Sequence, residues 1–217
     1  MNHLETEKYE QNDLVMRYRP PENKNSTKLL ILLHGWTGNE DVMWIFARNV
    51  PEDRWIIAPR GIISAPEGGY GWAEVKAGEQ PSLFEFHQAV DSLLSKIERW
   101  SVGTQVDTSH FALMGFSQGA IMSYALTFLY PQKVDSVAAL AGYFPSSWMD
   151  AGHAKAIKGI PFYIAHGTQD ETVPISLARK SVSTLEKAGA AVTYCESEAG
   201  HKLSMACLHG LDDFLSS

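Results

Sequence analysis

An α/β architecture built on a mostly parallel sheet is the fold class this sequence predicts, and three observations predict it. Short aliphatic runs bounded by turn residues recur along the chain, segments of helical period fall between them, and the two signals alternate throughout. Such alternation implies right-handed crossovers, with helices covering both faces of the sheet. At 217 residues, 45% of them hydrophobic, the chain can bury a sizeable core and is read as a single domain over 1–217.

The elements follow in order. Leu14 to Arg19 alternates apolar and polar residues as a half-exposed strand does, and Pro20-Pro21 stops it before a polar turn, so it is expected near a sheet edge. Leu29 to Leu33 is continuously aliphatic and ends at His34-Gly35; Trp55 to Ala58 ends at Pro59. Uninterrupted runs of this kind suit strands buried on both faces, and Phe111 to Met114, Val134 to Leu140, Phe162 to Ala165 and Ala191 to Cys195 are of the same type. Helical patterns cover Asp41 to Arg48, Leu83 to Trp100 with Phe84, Val90, Leu93, Leu94 and Ile97 along one side, Gln118 to Leu129, Ile175 to Ala188, and Leu203 to Leu215. Trp55 and Trp100 are assigned to the core or a helix surface. Ile63 to Pro81, rich in Gly and Pro, is a long irregular segment of the sort that often carries function.

Composition excludes several classes. A net charge of −7, from 25 acidic and 18 basic residues, argues against a nucleic-acid partner. Apolar runs stay well short of membrane-spanning length, and Met1 to Lys8 has neither a basic start nor an apolar segment, so no stable membrane insertion and a cytoplasmic location are expected. Cys195 and Cys207 are too few for a disulfide framework and lack metal-ligand spacing; both are expected as structural thiols.

The chemistry is concentrated in Gly115-Phe116-Ser117-Gln118-Gly119, which joins one apolar run to another. A serine lifted onto a sharp strand-to-helix turn needs neighbours without bulk two residues before and after it, and Gly115 and Gly119 meet that need. The following helix aims its N-terminal amides at the place where a negative oxygen would form.

A serine hydroxyl needs a base within reach and an acid to orient that base. Phe162 to Ala165 leads into His166-Gly167-Thr168-Gln169-Asp170, placing Asp170 at a strand's carboxyl end, the edge where ligands bind in an open parallel sheet. Ala199-Gly200-His201 follows the next strand and brings His201 to the same edge. The chain order Ser117, Asp170, His201 is that of the α/β-hydrolase triad. Of the other candidates, His166 reads as structural in the strand-to-turn bend, His209 falls inside the last helix, and Asp107 and Asp135 lie at strand starts on the opposite edge. The oxyanion hole is expected from the backbone N–H groups of Gln118 and Trp36, the latter in the loop His34-Gly35-Trp36-Thr37-Gly38.

From about Lys28 to Phe214 the chain resembles the phospholipase/carboxylesterase group of small, cap-less α/β-hydrolases, which includes acyl-protein thioesterases and lysophospholipases. Leu33-His34-Gly35, Ala58-Pro59-Arg60-Gly61, Gly71-Trp72, the serine elbow, Ala141-Gly142-Tyr143, His166 to Pro174 and Gly200-His201 carry the resemblance. It implies a serine nucleophile, an acyl-enzyme, hydrolysis of carboxylic or thioesters, and no metal or organic cofactor. Trp36, Thr37-Gly38-Asn39 and Ala141 depart from the group's pattern. About twenty residues separate Tyr143 from the Phe162 strand, too few for a large cap domain.

Trp36, Trp44, Tyr70, Trp72, Tyr143, Phe144 and Trp148 fall after strands or in loops near the expected edge. They predict a narrow aromatic pocket and a preference for short- to medium-chain esters. The reading is a serine carboxylesterase acting on small-molecule esters, with homodimer formation left open. A thioesterase or lysophospholipase needs a longer apolar groove; a non-catalytic binding protein on the same scaffold would be expected to have lost the nucleophile or base, and this chain has both.

Overall fold

The computed structural model describes residues 6–11, 13–48, 50–74 and 79–216. In chain order these form β1 (Glu7–Gln11), β2 (Leu14–Arg19), β3 (Leu29–Leu33), a 3-10 turn (Val42–Phe46), β4 (Trp55–Pro59), β5 (Ile63–Ser64), β6 (Tyr70–Gly71) and α1 (Leu83–Ser101). Then come β7 (Phe111–Phe116), α2 (Gln118–Leu129), β8 (Val134–Leu140), α3 (Ala151–Ala156), β9 (Pro161–Gly167), α4 (Ile175–Lys187), β10 (Ala191–Ser197) and α5 (Met205–Ser216).

Eight strands make one sheet in the order β1-β2-β4-β3-β7-β8-β9-β10, antiparallel from β1 to β4 and parallel from β4 to β10. The chain runs from β3 outward to β4 on one side and later returns to lay β7 on the other. The loops leaving β3 and β7 therefore diverge at neighbouring carboxyl ends, where Leu33 pairs with Gly115. A crevice at such a reversal is where open α/β sheets bind ligands.

Strand period sorts the core into two layers. Leu29, Ile31, Leu33, Leu113, Val137, Phe162 and Ile164 point to the side covered by α1 and α2. Leu30, Leu32, Met114, Leu140 and Tyr163 point to the side covered by the 3-10 turn and α5. Each fully buried aliphatic side chain contributes about 1.5–3 kcal/mol. Helix α2 is apolar nearly all round and buried from Gln118 to Phe128, as a helix wedged between a sheet and a second helix must be. Helix α1 is amphipathic and starts with a capping box in which the Ser82 hydroxyl accepts from the Glu85 amide and Glu85 returns the bond.

Several expectations need correction. β2 does lie near the edge, one strand in, with the unexpected β1 paired outside it. Asp41 to Arg48 forms only the 3-10 turn; Asp41 supplies no side-chain cap, and the two turns of apolar residues have no polar face to hold a longer helix. β10 is an edge strand with alternating exposure and is not buried on both faces. On α1, Phe84 is exposed and Phe86 takes the inward position. The irregular 63–81 segment contains the hairpin β5–β6, bridged to Gly38 through Tyr70, while residues 75–78 lie outside the described residues. Trp55 and Trp100 pack edge to face at 5.7 Å beneath Tyr18.

Candidate active site

Ser117 sits between β7 and α2 with φ 53° and ψ −116°, a conformation that costs a non-glycine residue energy. The surroundings over-determine it. The Ser117 amide donates to Leu140 O at 2.8 Å, and its carbonyl accepts the Ala120 and Ile121 amides at 2.9 and 3.3 Å. A Cβ at Gly119 would strike Leu33 O and come within 2.7 Å of His34 O; one at Gly115 would strike Gly119 O. The G-x-S-x-G spacing is thus a packing requirement between the elbow and the loop after β3.

That loop runs from His34 to Glu40 beside the start of α2, whose first amides precede any intrahelical acceptor. It is held by a buried polar network. His34 Nε2 accepts from the Gly61 amide at 2.8 Å, so its proton resides on Nδ1, 2.7 Å from Gly35 O. Burial holds this imidazole below the ordinary histidine pKa. Trp72 Nε1 donates to His34 O at 2.7 Å, and the Gln118 side chain accepts from the Trp72 amide and donates to Ala73 O. At the loop's far end, buried Glu40 receives two Arg60 guanidinium bonds at 2.6 and 2.7 Å, and Arg60 stacks over Tyr70 at 4.6 Å. Burial alone would raise the Glu40 carboxyl; Arg60 overrides it, and the pKa lies below the usual value.

Asp170 and His201 meet at the ends of β9 and β10. Asp170 Oδ2 lies 2.7 Å from His201 Nδ1, while Oδ1 accepts the Thr172 and Val173 amides at 2.9 and 2.8 Å. Burial pushes the Asp170 carboxyl up, but the Val173 amide, His201 and the Thr172 amide together pull it below the usual aspartate value. The two loops are also tied through backbone, with Thr168 N donating to Ser197 O at 2.8 Å and Gln169 N to Ala199 O at 2.9 Å. Phe116, next to Ser117, sets its ring 5.0 Å from the His201 imidazole.

One expectation about this loop is overturned. Cys195 and Cys207 are a disulfide, not thiols, and join β10 to α5 on either side of the His201 loop. The loop folds back so that the two Cα atoms stand 5.7 Å apart, a proximity that two isolated cysteines twelve residues apart do not announce.

A cavity of about 570 Å³ opens beside His201. Trp36, Val42, Ile45, Phe46, Phe116 and Leu203 are among the residues that line it. Of the aromatic residues expected to form the pocket, Trp36 lines it, but Trp44, Tyr70, Trp72, Tyr143, Phe144 and Trp148 do not. Trp72, Phe144 and Trp148 are buried in the core: Phe144 stacks on Phe128 at 4.9 Å, and Trp148 Nε1 donates to Pro81 O. Trp44 donates its indole N–H to Glu40 O, Tyr70 is occupied by Arg60, and Tyr143 packs against the α1–α2 layer, where burial raises its phenol pKa. The sequence signal for this cavity's lining lies in the apolar Val42–Phe46 run, which buries Met43 but leaves Val42 and Ile45 45% and 62% exposed.

Among the described residues, no cluster of three or more His, Cys, Asp or Glu side chains could hold a metal ion, and no helix is long and apolar enough to cross a membrane.

The mostly parallel sheet without a large cap is that of an α/β-hydrolase, and the protein is a serine hydrolase. The chain belongs to the phospholipase/carboxylesterase family, whose model matches residues 20–217. It is similar to a probable carboxylesterase SOBER1-like of Arabidopsis thaliana, 25% identical over 86% of this chain and 77% of that one. Acyl-protein thioesterase 1 of Yarrowia lipolytica is 26% identical over 75% and 78% of the respective chains. The fold is shared with a carboxylesterase from Mesorhizobium loti (TM-score 0.80, 21% identity, 98% and 99% coverage) and one from Bacillus cereus (0.82, 21%, 94% and 93%).

Proposed function

We propose that this protein is a carboxylesterase of a single catalytic domain that cleaves short- to medium-chain esters through Ser117, His201 and Asp170. The observation that carries the proposal is the 2.7 Å Asp170–His201 bond beside the strained Ser117 elbow. His201 takes the Ser117 proton as the hydroxyl attacks the ester carbonyl, and Asp170 holds the imidazole with its proton on Nδ1. The tetrahedral oxyanion is received by the Trp36 and Gln118 amides. His201 then protonates the departing alcohol, and the acyl-enzyme is hydrolysed by water that the same imidazole activates.

The cavity beside His201 supports an acyl or alkyl subsite of moderate length, walled by aliphatic as much as aromatic side chains. A second reading, a thioesterase or lysophospholipase, is favoured by Val42 and Ile45, 45% and 62% exposed on the cavity lip, where a longer chain could continue. Hydrolysis of p-nitrophenyl esters from acetate to palmitate separates the two. The first reading expects a maximum at short or medium chains; rates that rise through palmitate would replace it with the second.

The proposed location is the cytoplasm. Disulfides persist in oxidising compartments, so cytoplasmic residence requires that the enzyme with Cys195 and Cys207 reduced be active as well.

A further inference from the structure

A second histidine touches the triad aspartate. His166 lies on β9 four residues before Asp170, and both side chains are fully buried. Its Nε2 is 2.8 Å from Val173 O and 3.3 Å from Asp170 Oδ2. A carbonyl oxygen can only accept, so Nε2 carries the proton, and it faces two acceptors at once. Nδ1 is buried with no hydrogen-bond partner among the described residues, which leaves Nε2 as the ring's one engaged nitrogen.

Asp170 is thereby enclosed. Oδ1 is taken by the Thr172 and Val173 amides, and Oδ2 is shared between His201 Nδ1 and His166 Nε2. Val173 is held through both of its backbone groups, its amide by Asp170 and its carbonyl by His166. His166 is therefore placed to fix both the turn that aims the carboxylate and the orientation of the carboxylate itself. The neighbouring Gly167 adds to this: a Cβ there would strike Ala199 O and Gly200 O, so the backbone after His166 lies directly against the His201 loop.

We infer that His166 is a positioning residue for the Ser117–His201–Asp170 machinery, donating from Nε2 to the Asp170 carboxylate and the Val173 carbonyl. This rests on the triad reading above. A small rotation of Asp170 would swing His201 off the line to Ser117, and misplacement of that order costs about ten- to a hundredfold in turnover.

The test uses His166→Leu, which removes the donor, and His166→Gln, whose amide nitrogen can reach the position of Nε2. With a medium-chain p-nitrophenyl ester, kcat of the Leu variant is expected to fall about tenfold or more with KM within about twofold, and the Gln variant to recover most of the loss. The downfield proton resonance of His201 Nδ1–H should broaden or shift in the Leu variant and return in the Gln variant. Wild-type kcat in a folded Leu variant would overturn the inference, as would equal losses in both. Should the Leu variant not fold, nitrogen NMR of the wild-type protein decides: a proton on His166 Nε2 is required, and one on Nδ1 refutes it. That measurement also stands apart from the esterase reading, which fails separately if the wild-type enzyme cleaves no ester and Ser117 resists an organophosphate.

Discussion

Opening the Cys195–Cys207 bridge should destabilise the protein by an amount set by the chain it closes. The cysteines stand twelve positions apart in the chain. The unfolded chain regains the entropy of a loop of that length, about 3 kcal/mol at 25 °C. In a protein of this size, each kcal/mol moves the melting temperature by about 2–4 °C, so a loss of about 6–12 °C is expected. Local bonds should hold the native loop near its place, because Tyr163 Oη donates to Cys207 O at 2.6 Å and the Cys207 amide to Ser204 Oγ at 3.3 Å, both independent of the sulfurs. The assay is thermal unfolding with and without a reductant, for the wild type and for the Cys195→Ser/Cys207→Ser double variant. Reductant should lower the wild type to the level of the double variant and leave the double variant unmoved. A wild-type melting temperature unchanged by complete reduction, with both thiols titratable, would refute the reasoning.

Gly119→Ala should do more damage than its one added methyl suggests, since the new Cβ meets the backbone oxygens of Leu33 and His34. A loss of about 1–3 kcal/mol is expected in chemical denaturation, with activity reduced beyond it because the displaced atoms lead into the loop proposed to receive the oxyanion; wild-type kcat/KM would contradict this. His34 supplies a pH signature. Its folded imidazole titrates below the ordinary value because it is buried, whereas in the unfolded chain it takes up a proton near pH 6.5. This contribution to stability is full above about pH 6.5 and is lost as pH falls below that toward the folded value. Asp170 and Glu40, held below their usual values, act only in the more acidic carboxylate range, losing their contribution as pH falls through their folded values. Urea unfolding between pH 5 and 8 should therefore show a slope that shrinks in His34→Gln, and an unchanged slope would exclude His34 as its source.

Backbone order was more legible than side-chain direction. The run at Leu29–Leu33 declares itself because a strand buried on both faces needs no polar positions. The elbow was legible because backbone crowding at Gly115 and Gly119 admits only glycine, and such constraints write themselves into spacing. The short β1 was missed, for its alternation buries nothing deeply and is held by pairing with β2 alone. Apart from Trp36, the loop aromatics expected around the pocket lie away from the cavity beside His201 for a different reason. Trp72 and Phe144 follow strand ends, as expected, but whether a ring turns inward depends on partners distant in sequence: His34 O for Trp72, and Phe128 and Tyr124 for Phe144. The disulfide and the His166–Asp170 contact are hidden for the same reason, being products of how loops fold back.

The central claim is that Ser117 is a nucleophile activated by His201 and Asp170. Stoichiometric reaction with a fluorophosphonate, mapped by peptide mass spectrometry, tests it most directly. One adduct on Ser117, absent in Ser117→Ala and formed far more slowly in His201→Ala, is the expected result. An unlabelled protein, or an adduct on another residue that survives Ser117→Ala, would contradict the account.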